Sequence, residues 1–284
     1  MTDRHSWKLG ASTCILRGSK NHTADGFKKY LDAGTKYAEL SLSVWTGDYE
    51  KLDFYDHPEK IKEIALSQGV EFATFHTPFS MEVSLSVPDK EKREEAHRVL
   101  ERAIRSAAKI GIKIMVLHPS CGYDELYPQR QVYLEQTLAE IKRVNDLCRS
   151  LGVILALENM KPDHICCRSS EMIYLLQNIP DLKVCFDTNH SLIERPEEYL
   201  NALLNAGMQG RIVATHVSDC DLTEEMHRLP GDGKINWEKV LTKLEQLEFD
   251  GVFMYEVSKA KDRDIAYTPQ MVKDNFKSLI GSDI

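Results

Sequence analysis

Short apolar runs alternate with longer amphipathic segments along the whole chain. Eight runs rich in β-branched and aromatic residues lie at 8–15, 37–42, 71–76, 114–118, 153–158, 183–187, 212–217 and 251–257. The polar segments between them repeat apolar residues at spacings of three and four, most clearly at 90–110 and 130–151. The runs predict strands and the segments predict helices.

Glycines mark where the predicted helices end and the next strand approaches. They are Gly34, Gly69, Gly111, Gly152 and Gly251. Glycine is common at helix ends because it adopts the left-handed conformation that terminates a helix. Eight strands that alternate with helices, about one pair per 35 residues, predict a single (β/α)8 barrel of the TIM type across residues 1–284. A doubly wound open sheet is the alternative, but it more often carries a Gly-rich phosphate loop, and residues 10–14 (GASTC) lack that pattern.

Composition and charge limit the classes of function that the chain is expected to have. The chain has 284 residues, of which 42% are hydrophobic and 28% charged, and a formal net charge of -8. Its Lys and Arg residues are scattered among acids, whereas a protein that grips a nucleic-acid backbone usually shows basic clusters. No apolar run reaches the roughly 18 residues that a membrane span needs, and the N-terminus lacks a signal-peptide pattern. The seven cysteines include no C-x-x-C pair, so we expect a cytoplasmic protein with reduced thiols and without membrane or nucleic-acid partners.

Ionisable residues stand at the ends of six consecutive predicted strands. In chain order they are His76, His118, Glu158, Asp187, His216 and Glu256, and the second strand contributes Glu39 one step deeper. In a barrel of this type the carboxyl ends of the strands converge on one mouth, where active sites lie. Burying so many ionisable groups is very costly without a cation, and no Lys or Arg occupies these strand ends. Lys161, three residues after Glu158, we expect on the surface of its loop.

A divalent metal ion would remove this cost. Glu158, Asp187, His216 and Glu256 together offer three carboxylates and one imidazole. Such an oxygen-rich set suits manganese, magnesium or cobalt and also accepts zinc, so we predict one divalent metal ion at the mouth. A salt-bridge network is the structural alternative, and it lacks the cations it would need.

Five short motifs resemble the xylose isomerase-like TIM-barrel superfamily. They are LEN at 157–159, FDTNH at 186–190, THVSD at 215–219, HRLPGDGKINW at 227–237 and YEV at 255–257. That superfamily includes sugar isomerases and epimerases, such as the D-tagatose and D-psicose 3-epimerases, and the endonuclease IV family. The resemblance implies the same four metal ligands, with Glu158 and Glu256 as catalytic acid/base groups. The related epimerases are commonly oligomeric, so the resemblance also makes a homo-oligomer an expectation.

The first functional hypothesis is a metal-dependent sugar or sugar phosphate isomerase or epimerase. The metal would hold carbonyl and hydroxyl oxygens and stabilise an enediolate, while Glu158 and Glu256 exchange protons with carbon. His190 and Arg228 match family positions that hold substrate oxygens, although the loop that carries Arg228 is longer than in the epimerases and has one Pro where they often have two. The predicted substrate-binding residues are His76, His118, Asn159, His190, His227 and Arg228.

The second hypothesis is hydrolysis of a phosphodiester with three zinc ions, as in endonuclease IV. The extra ligands would be His76, His118, His190, Glu225 and His227, with Glu225-Met-His227 in place of the Asp-x-His of that family. The net charge of -8 and the lack of basic and aromatic residues in the loops argue against gripping a duplex. Two further alternatives are a keto-sugar or cyclitol dehydratase at the same metal and a barrel that binds without catalysis. The complete ligand set argues against the last of these.

Overall fold

Eight parallel strands form a single sheet in the computed structural model, which describes residues 1–16, 22–42, 53–80, 82–120, 129–258 and 265–281. Every strand lies within one of the predicted runs, and the spatial order is β7-β6-β5-β4-β3-β2-β1-β8. The strands are β1 Lys8–Ser12, β2 Tyr37–Ser41, β3 Glu71–His76, β4 Ile114–Leu117, β5 Ile154–Glu158, β6 Lys183–Asp187, β7 Ile212–His216 and β8 Val252–Tyr255.

The two ends of this strand order meet at a seam between β7 and β8. The backbone N–H of Val217 donates to the carbonyl of Met254 at 2.8 Å, and that of Glu256 donates to the carbonyl of Val217 at 3.1 Å. Within the seam the hydroxyl of Thr215 accepts a hydrogen bond from the N–H of Met254 at 3.1 Å, in the place of a backbone acceptor. The sheet is therefore a nearly closed barrel, which confirms the predicted (β/α)8 fold.

Helices connect successive strands around the outside of the barrel. They are α1 Ala24–Ala33, α2 Asp53–Asp56, α3 Pro58–Ser67, α4 Lys90–Lys109, α5 Arg130–Ser150, α6 Ser169–Asn178, α7 Pro196–Asn205, α8 Trp237–Gln246 and α9 Pro269–Ile280. The two longest, α4 and α5, confirm the helices predicted at 90–110 and 130–151. No helix in the described part of the chain is long and apolar enough to cross a membrane.

Four of the five predicted glycine positions have positive φ angles next to a helix end. They are Gly34, Gly69, Gly111 and Gly152. The prediction for Gly251 is wrong, because α8 ends at Gln246 and Glu248 adopts the positive φ of 61°. Gly251 is instead required for close packing, since a Cβ there would lie 2.8 Å from the Phe249 ring and 3.2 Å from the Val213 carbonyl.

A layer of small apolar side chains separates the mouth from the rest of the barrel interior. Val116, Ala156, Cys185 and Ala214 come from four neighbouring strands and form a buried cluster of their own. Side chains alternate along a strand, so the residue two positions further on points the same way. Two positions after these four residues stand His118, Glu158, Asp187 and His216, and the strand period therefore places the predicted site directly above an apolar floor.

Candidate metal centre

Four predicted ligands come together at the carboxyl ends of β5, β6, β7 and β8. Glu158, Asp187 and His216 are the last residues of their strands, and Glu256 directly follows β8. The first three are completely buried, and the side chain of Glu256 is 14% exposed. Each of the four offers a ligand atom, and all these atoms lie within 4.8 Å of one another. His76, Glu158 and His216 form a second group at the same spacing.

The polar atoms at this centre face one another without hydrogen bonds. His216 Nδ1 lies 3.1 Å from Glu158 Oε1 and 3.5 Å from Glu256 Oε2. Within the described residues, both oxygens of Glu158, Oδ2 of Asp187 and Nδ1 of His216 have no hydrogen-bond partner. Buried polar atoms are rarely left unpaired, because each one costs about 1–3 kcal/mol. Converging lone pairs of this kind are what a divalent cation binds, so these residues fit such an ion.

The backbone around Asp187 is fixed by Asn159, the residue after β5. The Asn159 amide donates to the carbonyl of Asp187 at 2.8 Å and accepts from its N–H at 2.7 Å. It also donates to the Ser191 hydroxyl at 3.2 Å. Asn159 is one of the predicted substrate-binding residues, but the structure directs its amide into the protein, where it holds the ends of β5 and β6 together.

Burial sets the protonation of Asp187. Removal from water raises the pKa of this carboxyl to about 6, although the neighbouring His190 acts in the opposite direction. Its Oδ1 accepts hydrogen bonds from the N–H groups of Asn189 and His190, which leaves Oδ2 turned toward the centre. A bound cation would favour the ionised form of this group.

Three further histidines surround Glu158. His76 Nε2 and His118 Nε2 lie 3.5 Å and 3.2 Å from Glu158 Oε2, and His190 Nδ1 lies 3.2 Å from Oε1. His76 Nδ1 is 2.9 Å from the carbonyl of Thr77, which can only accept, so Nδ1 is the donor and Nε2 faces the mouth. Burial disfavours the charged ring, but contact with Glu158 outweighs it and raises the pKa of His76. Burial lowers the pKa of His118 to about 4, and this imidazole is therefore neutral near pH 7.

A second cluster joins the loop between β7 and α8 to the loops after β5 and β6, and we call Lys161, His190, Glu225 and His227 the rim cluster. Glu225 Oε1 lies 2.7 Å from His227 Nε2 and 3.7 Å from His190 Nε2, while Oε2 lies 2.6 Å from Lys161 Nζ. Lys161 was expected on the surface of its loop, and its side chain is 41% exposed while its ammonium group pairs with Glu225. Burial opposes charge here, but contacts with His190 and His227 outweigh it and lower the pKa of Glu225.

His227 is held in its charged form within the rim cluster. Its Nδ1 donates to the carbonyl of Glu256 at 3.0 Å, and its Nε2 donates to Glu225. Burial disfavours the charged ring, yet the hydrogen bond with Glu225 and the charge of Glu256 raise its pKa to about 9. The rim cluster thus holds two cations, Lys161 and His227, for the one carboxylate of Glu225, whereas carboxylates predominate at the four-ligand centre.

Asp219 holds the loop that carries Glu225, His227 and Arg228, and the sequence analysis missed this role. Its buried carboxylate accepts hydrogen bonds from four N–H groups at 2.8–3.2 Å, and the donors are the backbones of Cys220, Gly231 and Ile235 and the indole of Trp237. Its backbone also pairs with that of Arg228 in both directions, at 2.8 Å and 3.0 Å. The sequence offered one signal for this role, because the THVSD motif ends in an acid three residues after the predicted ligand His216.

Arg228 is almost buried, at 8% exposure, beside this loop. Its Nη1 donates to the carbonyl of Asp232 at 3.3 Å. A Cβ at Gly233 would collide with the carboxylate of Asp219 and the carbonyl of Cys220, so only glycine fits there. The loop is therefore closely packed against Asp219 along its length.

Comparison with known proteins identifies relatives over most of the chain. The family described as "Xylose isomerase-like TIM barrel" matches residues 27–279. An uncharacterised protein of Methanocaldococcus jannaschii is 26% identical over 238 residues, which cover 80% of this chain and 78% of that protein. A probable endonuclease 4 of Metamycoplasma arthritidis is 22% identical over 289 residues, covering 96% of this chain and 99% of the relative.

Among solved structures, a D-tagatose 3-epimerase-like protein superposes with a TM-score of 0.77 at 20% identity. The match covers 96% of this chain and 98% of the other. At this identity the likeness concerns the fold.

Proposed function

Because the chain belongs to the xylose isomerase-like TIM barrel family, we propose that it is a divalent-metal-dependent sugar or sugar phosphate isomerase or epimerase. One observation carries the proposal. Unpartnered atoms of Glu158, Asp187 and His216 converge with the carboxylate of Glu256 in a buried mouth. A divalent ion held by these residues would polarise a carbonyl group and offset the negative charge that develops when a neighbouring carbon loses its proton.

The two glutamates are suited to moving that proton. Glu158 is fully buried and Glu256 is slightly exposed, so the two carboxylates approach the mouth from β5 and β8 in different environments. In this proposal one of them removes the proton from carbon and the other returns a proton, which gives inversion or carbonyl migration depending on the carbon attacked.

The imidazoles in the mouth suit a polyhydroxylated substrate. His118 stays neutral, and its Nε2 has no hydrogen-bond partner within the described residues. His76 turns its Nε2 to the mouth beside it, and contact with Glu158 raises the pKa of this ring despite its burial. A neutral imidazole nitrogen accepts a hydrogen bond from a hydroxyl group and a protonated one donates, and we assign these two residues to substrate hydroxyls.

Proton exchange with solvent tests this proposal directly. The protein, loaded with Mn²⁺ or Co²⁺, would be incubated in D₂O with a panel of ketoses, ketose phosphates and keto-glycosides and followed by NMR. Deuterium should enter at the carbon beside the carbonyl, and the Glu158→Gln and Glu256→Gln variants should lose the exchange. Loss of water from the same substrates would indicate a dehydratase, and absence of exchange across the panel would count against the proposal.

A phosphodiesterase with three zinc ions is the second candidate, and the positions of the additional ligands favour it. His76 and His118 flank Glu158 Oε2, and Glu225 lies between His190 and His227. The charge of the rim cluster counts against a metal there, because Lys161 and the His227 cation already outnumber the single carboxylate of Glu225. Cleavage of an abasic-site duplex by the zinc-loaded protein would support this candidate over the first.

A further inference from the structure

We propose that Glu39 is a positioning residue for the metal centre, which orients His216 and strengthens it as a ligand. The inference rests on the proposed metal centre but concerns a residue on the far side of the barrel. Glu39 lies in β2 and His216 ends β7, two strands that are not neighbours in the sheet. Their contact therefore crosses the barrel interior.

The contact is short and fully enclosed. Glu39 Oε2 lies 2.9 Å from His216 Nε2, and both side chains are completely buried. The hydroxyl of Thr74, on the adjacent β3, donates to the same oxygen at 2.9 Å and fixes the carboxylate. Glu39 Oε1 has no partner within the described residues, so the carboxylate is held through the oxygen that faces His216.

This contact decides which nitrogen of His216 can bind a cation. An ionised carboxylate only accepts hydrogen bonds, so Nε2 carries the proton. Nδ1 is the nitrogen that faces Glu158 and Glu256, at 3.1 Å and 3.5 Å, and a cation bound there would take the place of a proton on it. Glu39 thus fixes both the tautomer and the direction of the ring.

A carboxylate acceptor distinguishes His216 from neighbouring histidines. His76 and His190 donate through Nδ1 to the backbone carbonyls of Thr77 and Asn159. A carboxylate behind an imidazole raises the basicity of the opposite nitrogen more than a neutral carbonyl does, and such partners strengthen metal binding by about 10–100-fold. The buried carboxylate of Glu39 has only His216 and Thr74 as partners, and burying it destabilises the fold. A role in metal binding accounts for its presence.

Co²⁺ binding measured by calorimetry and by visible absorption tests the role of Glu39. Glu39→Gln keeps the shape and can still accept from Nε2, but it removes the charge. We expect its Co²⁺ affinity to fall about 10–100-fold with an altered cobalt spectrum. Thr74→Val, which frees the carboxylate from its hydroxyl donor, should show a smaller loss of the same kind.

Glu171→Gln is the matched control. Glu171 is a buried acid on α6 that pairs with Arg130. The control should lower thermal stability and leave Co²⁺ affinity unchanged.

The outcomes separate this inference from the proposed function. Wild-type affinity in both Glu39→Gln and Thr74→Val would overturn the role of Glu39 and leave the metal centre standing. A wild-type protein that binds no Co²⁺ would overturn the metal centre and the inference with it. Melting curves of the metal-free proteins show whether each variant folds, and if Glu39→Gln does not fold, the Thr74→Val result decides.

Discussion

Four histidine nitrogens lie within 3.5 Å of the carboxylate of Glu158, yet neither oxygen has a hydrogen-bond partner within the described residues. Distance alone would suggest ion pairs. The missing alignment indicates instead that the oxygens of Glu158 are directed to a common centre and not at any one ring. The chemistry of the mouth therefore depends on how individual side chains are oriented, and His216, backed by Glu39, shows this most clearly.

Asp187 should make the stability of the metal-free protein depend on pH. Burial raises its pKa to about 6 from its ordinary value of 3.8. Between these pH values the folded protein keeps a proton that the unfolded chain has lost, so this group lowers stability as pH rises, by about 3 kcal/mol in total. In the presence of a chelator, Asp187→Asn should therefore be more stable than the wild type at pH 8 and nearly equal to it at pH 4. Urea unfolding at both pH values measures the difference, and a variant that is less stable at pH 8 would contradict the burial argument.

Glu225 should control the charge of His227. The hydrogen bond between them contributes to a His227 pKa of about 9, so Glu225→Gln should bring that pKa down toward its ordinary value near 6.5. NMR titration of the histidine ring protons in the metal-free protein measures the change. Lys161→Gln removes a neighbour of Glu225 without touching His227, and it should leave the His227 ring charged at pH 7. An unchanged pKa in Glu225→Gln would show that other groups hold the charge.

At the scale of the elements, the strand period accounts for most of what the sequence could predict. Alternation along β4 to β7 places Val116, Ala156, Cys185 and Ala214 in one layer and the ionisable strand ends in the next. A list of strand-end residues therefore identified the groups that meet at the mouth. The contact between Glu39 and His216 could not be predicted, because it depends on barrel curvature that brings side-chain atoms from non-neighbouring strands within 2.9 Å of each other.

Loops were less predictable than strands for a physical reason. Lys161 and Glu225 are 64 residues apart, and Asp219 binds N–H groups up to 18 residues away. Contacts of this kind follow from the three-dimensional path of a loop, which no periodicity encodes. The same applies to Asn159, which the sequence suggests as a substrate contact but which fixes the backbone of Asp187.

Asp219→Asn should destabilise the loop between β7 and α8. An amide can accept through one atom only, so its NH₂ group would face N–H donors now bound by a carboxylate oxygen. We expect a loss of about 2–4 kcal/mol in the free energy of unfolding and faster amide exchange at 221–236. Asp221→Asn in the same loop, where the exposed carboxylate accepts a hydrogen bond from the backbone N–H of Thr223, is the control and should change the free energy of unfolding far less. Equal stability of the two variants would contradict the anchoring role of Asp219.

At the scale of the whole molecule, metal and fold should be linked. A ligand that binds the folded state alone stabilises it by RT ln(1 + [L]/Kd), about 2.7 kcal/mol at a hundredfold excess over Kd. Mn²⁺ or Co²⁺ should therefore raise the melting temperature of chelator-treated protein, and Glu158→Gln should abolish the increase. The increase in melting temperature with Mg²⁺ at the same concentration would show which ion the site prefers. An equal increase in Glu158→Gln and in the wild type would mean that the ion binds at another site.

The central claim is that the mouth holds a single divalent ion among Glu158, Asp187, His216 and Glu256. The most direct test is the metal content per chain, measured by mass spectrometry on protein purified without a chelator or metal-binding tag. The account predicts about one Mn, Co, Mg or Zn per chain in the wild type and almost none in Glu158→Gln. Close to three Zn per chain would show that the rim cluster also binds metal and would favour the phosphodiesterase, and a protein that takes up no divalent metal would contradict the account.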